Sequence, residues 1–154
     1  MDIYQRLEEL GIELPVAPTP AGLYTQVVPF GSNLCYMSGC GSTSDSCKLT
    51  GKVGGELTLE QGQAAARSTA INMLSVLHRD LGDLNRIARW IKVLGFVASD
   101  PSFYDQPKVM NGASQLILDV FGDPAGRPAR SAIGAPSLPG NIPVEIEALI
   151  ELKP

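Results

Sequence analysis

The chain has 154 residues, 44% of them hydrophobic and 18% charged, with a formal net charge of −4. A single domain of this size buries about 70% of the surface its unfolded form exposes and needs no covalent staple. No apolar run approaches the ~20 residues of a membrane-spanning helix. The basic residues Arg67, Arg79, Arg86, Arg89 and Lys92 are scattered, which argues against a nucleic-acid partner. Cys35, Cys40 and Cys47 are an odd set that does not read as a disulfide framework. The stretch Met1–Leu10 is charged and too short for the apolar core of a signal peptide, so the expected location is the reducing cytoplasm.

Asp2–Leu10 carries Ile3, Leu7 and Leu10 at helical spacing, with Gly11 as the stop. Pro15, Pro18 and Pro20 then enforce an extended linker. Residues 1–19 thus read as an N-terminal helix and linker ahead of one domain over 20–154. Leu23–Pro29 and Leu34–Ser38 are short strands about a turn at Phe30–Asn33. Gly39–Gly55, rich in Gly, Ser, Thr and Asp, reads as an exposed loop. Thr58-Leu-Glu-Gln61 is a capping box that opens a long helix to about Leu81, where Gly82 stops it. Ile87–Val97 is a strand, a second helix starts at Tyr104 or Asp105 and runs through Phe121, and Ala129–Ala135 and Val144–Glu151 are the last strands.

This order predicts an α+β, two-layer fold with two long helices on one face of a sheet. The other face then needs an explanation. Ile87–Val97 is apolar on both parities, as in a strand covered on both sides. Val144, Ile146, Ala148 and Ile150 line one face of the last strand, while Glu145, Glu147, Leu149 and Glu151 line the other. An apolar face of that size points to a symmetric homo-oligomer; a monomer with one solvated face is the alternative.

Arg130 sits in an otherwise apolar strand, and its planar fork suits bidentate binding of a carboxylate. Glu145 follows the Leu138-Pro139 connection, and if the two strands are neighbours, Arg130 and Glu145 meet at one cleft. They either pair with each other or face a ligand.

Pro128-Ala-Arg-Ser131, Leu138-Pro139 and Val144-Glu-Ile-Glu-Ala148, with the interval from Arg130 to Glu145, together resemble the C-terminal signature of the RidA or YjgF family, also labelled L-PSP endoribonuclease. Upstream, Gly22-Leu-Tyr24, Ser38-Gly39 and Asn111 resemble further family positions, so the likeness runs from about Pro20 to the C-terminus. The Asp2–Leu10 helix lies outside it, and the Cys40–Lys52 loop departs from the common form, as in a divergent subgroup.

The resemblance implies a chorismate-mutase-like fold and a homotrimer. Three sheets would form a central barrel, with ligand clefts between subunits. It implies hydrolysis of reactive enamines and imines, such as 2-aminoacrylate, to a 2-keto acid and ammonia, without metal or organic cofactor. Arg130 would bind the substrate carboxylate and Glu145 would activate water. Tyr24 would close the cleft, Ser38 and Gly39 would shape its floor, and Asn111 would cap or orient. Many members have Cys two residues after the Arg; Ala132 stands there in this chain, so no thiol chemistry is expected at that place. A non-catalytic binding module for a keto acid and the historical endoribonuclease are the alternative functions.

Other signals carry less. The three cysteines and His78 match no common zinc spacing. A single His and no nucleophile elbow leave no Ser-His-Asp triad. Gly51-Lys-Val-Gly-Gly55 lacks the spacing of a phosphate loop, Trp90 reads as core, and Pro124–Arg127 as a turn.

Overall fold

The structure, a computed structural model, describes residues 2–154. In chain order it contains α1 (Ile3–Glu9), β1 (Val27–Phe30), β2 (Leu34–Gly41), α2 (Leu59–Leu81), β3 (Ile87–Ala98), α3 (Gln106–Phe121), β4 (Ala129–Ala135) and β5 (Val144–Leu152). Local chemistry sets the helix ends. The Asp2 carboxylate accepts from the Tyr4 and Gln5 amides and starts α1. Thr58 and Gln61 exchange both bonds of the capping box, and Gly82, at φ 80°, turns the chain out of α2. β1 begins at Val27 rather than Leu23, because Leu23 and Tyr24 lie in bends outside the ladder. β2 runs on to Gly41, beyond the Ser38 expected from sequence.

The strands form one sheet in the order β1-β2-β5-β3-β4. β3 and β4 are parallel and α3 is the crossover between them; the other pairs are antiparallel. The expected α+β layering is the observed one: α2 and α3 cover one face. Their Met73, Leu74, Leu77, Met110 and Ile117 are fully buried, as are Met37, Val97, Ile146 and Ile150 from the strands. Glycine sets how closely the layers approach. A Cβ on Gly112 would strike the Gln63 carbonyl of α2, and one on Gly95 would strike the Met110 side chain.

Bulges in β2 and β3 decide which residues face the helices. β3 spends one extra residue between Trp90 and Lys92 against Ile150 and Leu149 of β5. Simple alternation is thereby broken, and Trp90 and Val93 are both buried on the core side. Leu94 and Phe96 are half-buried on the uncovered face. β2 makes the same move between Met37 and Cys40, so both of these are buried while Ser38 and Gly39 form the protruding turn of the bulge.

The Gly39–Gly55 stretch is not the exposed loop its composition predicts. Gly39–Gly41 belong to β2, and Ser42, Cys47 and Val53 are buried. Asn72 of α2 donates to the Gly41 and Thr43 carbonyls, and Ser68 to that of Ser42. A polar sequence here packs because α2 supplies the hydrogen bonds that water would otherwise make. α1 docks onto the same core through Ile3 and Leu7, and Arg6 Nε donates to the Asp119 carbonyl at 2.8 Å. Among the described residues no helix is long and apolar enough to cross a membrane.

Candidate functional site

The β2 bulge and β5 build one half of the site. Glu145 alternates with the buried Val144 and Ile146, so its side chain leaves the helix layer and lies on the uncovered face. There its Oε1 occupies the space a Cβ of Gly39 would fill, with Glu145 Cγ 3.2 Å from that position. A side chain at position 39 would have to displace this carboxylate. Among the described residues Glu145 has no cation and no hydrogen-bond donor. Burial, and after it the charge of Glu147, holds its carboxyl above the ordinary carboxylate value. Glu147 itself accepts from Tyr36 Oη at 2.8 Å. Next to Gly39, the Ser38 hydroxyl is buried without a partner, although its backbone amide donates to the Gln26 carbonyl at 2.8 Å. A buried hydroxyl without a partner carries a desolvation cost that a hydrogen bond would offset. Cys40, just past the bulge, is no nucleophile: burial, reinforced by the Glu145 charge, pushes its thiol up to about 12.

Arg130 forms the other half, on edge strand β4. It stands in register with Val93, and its side chain turns toward α3. Nη1 donates to Asn111 Oδ1 at 2.9 Å and Ser114 Oγ at 3.0 Å, and Nη2 donates to the Pro107 carbonyl at 3.2 Å. A guanidinium has five N–H donors. The three used here leave Nε–H and one Nη2–H without an acceptor among the described residues, enough for a two-point grip on a carboxylate. A cavity of about 400 Å³ opens beside it, lined by Asn111, Ser114, Gln115, Leu118, Arg127 and Arg130 among others.

The structure brings Asn111 to Arg130 and Gly39 to Glu145, with Ser38 the residue before Gly39 in β2. It does not bring the two groups together within one chain. β4 and β5 are not neighbours, because β3 lies between them. Arg130 aligns with Val93 of β3 and Glu145 with Phe96, three positions further along. That is ~10 Å along the strands and ~10 Å across them. The two side chains also leave opposite faces of the sheet. Arg130 is consequently not tied up in an internal pair with Glu145. Tyr24 sits in the bend ahead of β1, exposed, with its hydroxyl accepting from the Ala21 amide at 3.3 Å. Ser114 was missed from sequence; its spacing of three from Asn111 puts both polar side chains on one face of α3.

The comparisons with known proteins bear on the family and the fold. A profile described as YjgF/chorismate-mutase-like endoribonuclease matches residues 4–152, and so takes in α1, which the likeness read from sequence had left out. Protein TCP17 of Trypanosoma cruzi is 47% identical over 148 residues, covering 95% of this chain and 91% of that protein. A 2-iminobutanoate/2-iminopropanoate deaminase of Dermatophagoides farinae is 30% identical over 142 residues, 92% of this chain and 95% of that one. A crystal structure of an Agrobacterium tumefaciens protein of unknown function superposes with a TM-score of 0.89 at 44% identity, covering 98% of this chain and 92% of the other. Motif, sheet order and profile converge: the chain belongs to the YjgF/chorismate-mutase-like endoribonuclease family, the RidA/YjgF family that its C-terminal signature resembles.

Proposed function

We propose that the chain assembles as a homotrimer and hydrolyses enamine and imine derivatives of 2-keto acids, releasing the keto acid and ammonia, at seams where Arg130 of one copy meets Glu145 of the next. The observation that carries this reading is a pair of complementary deficits. Arg130 keeps an unused two-donor edge, and Glu145 and Ser38 keep an unpaired carboxylate and an unpaired hydroxyl. One chain holds the two on opposite faces, and a small substrate with a carboxylate at one end and an imine at the other engages both only across a seam.

The chemistry balances without a cofactor. The carboxylate sits on Arg130 through charge-assisted hydrogen bonds of about 1.5–3 kcal/mol each. Ionised Glu145 takes a proton from water as the water oxygen adds to the imine carbon. That proton returns to nitrogen to give the carbinolamine; Glu145 then takes the hydroxyl proton and passes it to nitrogen as the C–N bond breaks, so that ammonia leaves with a carbonyl behind it. 2-Aminoacrylate enters the same route after tautomerising to the imine. Burial suits Glu145 to the task, since a carboxyl held above its ordinary value is the stronger base once ionised. Tyr24 lies on an exposed bend two residues ahead of Gln26, whose carbonyl accepts from the Ser38 amide, and in this reading it closes over a ligand at Ser38. The similarity to a deaminase over nearly the whole chain supports the same reading.

Ammonia release from freshly generated 2-aminoacrylate tests it. Arg130→Ala lowers kcat/KM by at least about 100-fold with the oligomer intact, the loss of two charge-assisted bonds. Full activity in that variant excludes Arg130 as the anchor. Tight keto-acid binding by a wild type that releases no ammonia assigns the cleft to binding alone.

A further inference from the structure

A second cavity lies away from both halves of this site, between the 42–49 loop and the outward surface of α2. It holds about 650 Å³ and is lined by Cys47, Lys48, Leu49, Ala64, Arg67 and Ile71 among others. Ligand pockets for small molecules span roughly 300–1,000 Å³. Hydrogen bonds tie its walls together. Ser44 and Cys47 exchange both backbone hydrogen bonds, at 3.0 and 3.2 Å. Ser68 and Asn72 anchor the loop to α2 through the carbonyls of residues 41 to 43, each at 2.9 Å. Binding into such a groove costs little ordering.

The lining is of two kinds. Leu49, Ala64, Ile71 and the buried Cys47 make an apolar trough. Arg67 stands at its rim, exposed, with no ion pair or hydrogen bond among the described residues. Lys48 reaches only Asp45, at 3.6 Å, and both of these are well exposed, a contact worth little in water. Two cations flanking an apolar trough, on a chain whose net charge is −4, complement an anion with an alkyl tail. A neutral apolar ligand leaves Arg67 unused, and a polyphosphate leaves the trough empty.

We propose that this groove binds a medium-chain fatty carboxylate, its chain along Leu49, Ala64 and Ile71 and its carboxylate on Arg67. The proposal stands independently of the deaminase reading. Calorimetric titration of the whole protein with dodecanoate, below the concentration at which it forms micelles, tests it. Binding is saturable, with one molecule per chain. Dodecanol, which has the same chain without the charge, binds at least about tenfold more weakly, and Arg67→Ala weakens dodecanoate by a similar factor. Arg67→Lys keeps part of the affinity, and Ala64→Trp fills the trough and abolishes binding. Both positions are exposed, and far-UV circular dichroism checks that the variants fold. Unsaturable uptake, equal affinity for acid and alcohol, or binding indifferent to both Arg67→Ala and Ala64→Trp overturns the proposal. So does a sedimentation change in Ala64→Trp, which assigns the trough to a second copy of the chain.

Discussion

Glu145 shows what one residue costs and what it does. Its carboxyl lies above the ordinary value because burial, then the Glu147 charge, disfavours ionisation. An acid with a raised folded-state value favours the fold in its protonated form. That contribution is complete below the ordinary carboxylate range and is lost as pH rises through the raised value. Glu145→Gln therefore unfolds at a higher temperature than wild type at neutral pH, and the gap closes in acid. The side chain is partly exposed, so solvent screening keeps the gain small. Thermal unfolding at both pH values measures it; a destabilised variant at neutral pH means that the carboxylate is held by donors instead. Activity is expected to move oppositely, because in the proposed reaction Glu145→Gln removes the base. Gly39→Ala, whose Cβ takes the volume of the carboxylate, lowers ammonia release by at least about tenfold with the fold retained. Wild-type turnover in Gly39→Ala contradicts the position assigned to Glu145.

At the scale of elements, glycine sets the contact between α2 and α3. Gly112→Ala drives a methyl into the Gln63 carbonyl, which belongs to backbone that cannot yield cheaply. We expect a loss of about 1–3 kcal/mol in denaturant unfolding; an unchanged midpoint means that the helices separate without cost. Most elements were legible in the sequence because their signals are local. Thr58 and Gln61 announce the start of α2, Gly82 its end, and the Val144–Ile150 alternation the two faces of β5. The bulges were not legible. Only pairing with β5 reveals that Met37 and Cys40, or Trp90 and Val93, share a face despite odd spacing. The strand order was hidden for the same reason. Arg130 and Glu145 stand out as residue types, but the interposition of β3 depends on long-range pairing that no local spacing encodes. The 42–49 loop misled in the other direction, since its polar composition gave no sign of the carbonyl acceptors that Ser68 and Asn72 satisfy.

At the scale of the whole molecule, the uncovered sheet face decides the reading. Val28, Phe30, Tyr36 and Ile133 are 44–49% exposed, and Leu94 and Phe96 stand half-buried among them. A patch of this kind calls for a partner surface. Sedimentation equilibrium is expected to give three chains per particle, and Leu94→Glu, a charge placed mid-face, to give folded monomers. A wild type that sediments as a monomer removes the seam. If the seam unites Arg130 of one copy with Glu145 of the next, co-refolding Arg130→Ala with Glu145→Gln restores activity that neither has alone. With random mixing about one seam in four is whole.

The most direct measurement is a crystal of the assembled protein soaked with 2-ketobutyrate. The carboxylate should lie on the Nε–Nη2 edge of Arg130, between two chains, with Glu145 and the Ser38 hydroxyl of the neighbouring copy facing the keto carbon. A ligand bound elsewhere, or an Arg130 edge sealed by a partner chain's own carboxylate, contradicts the site.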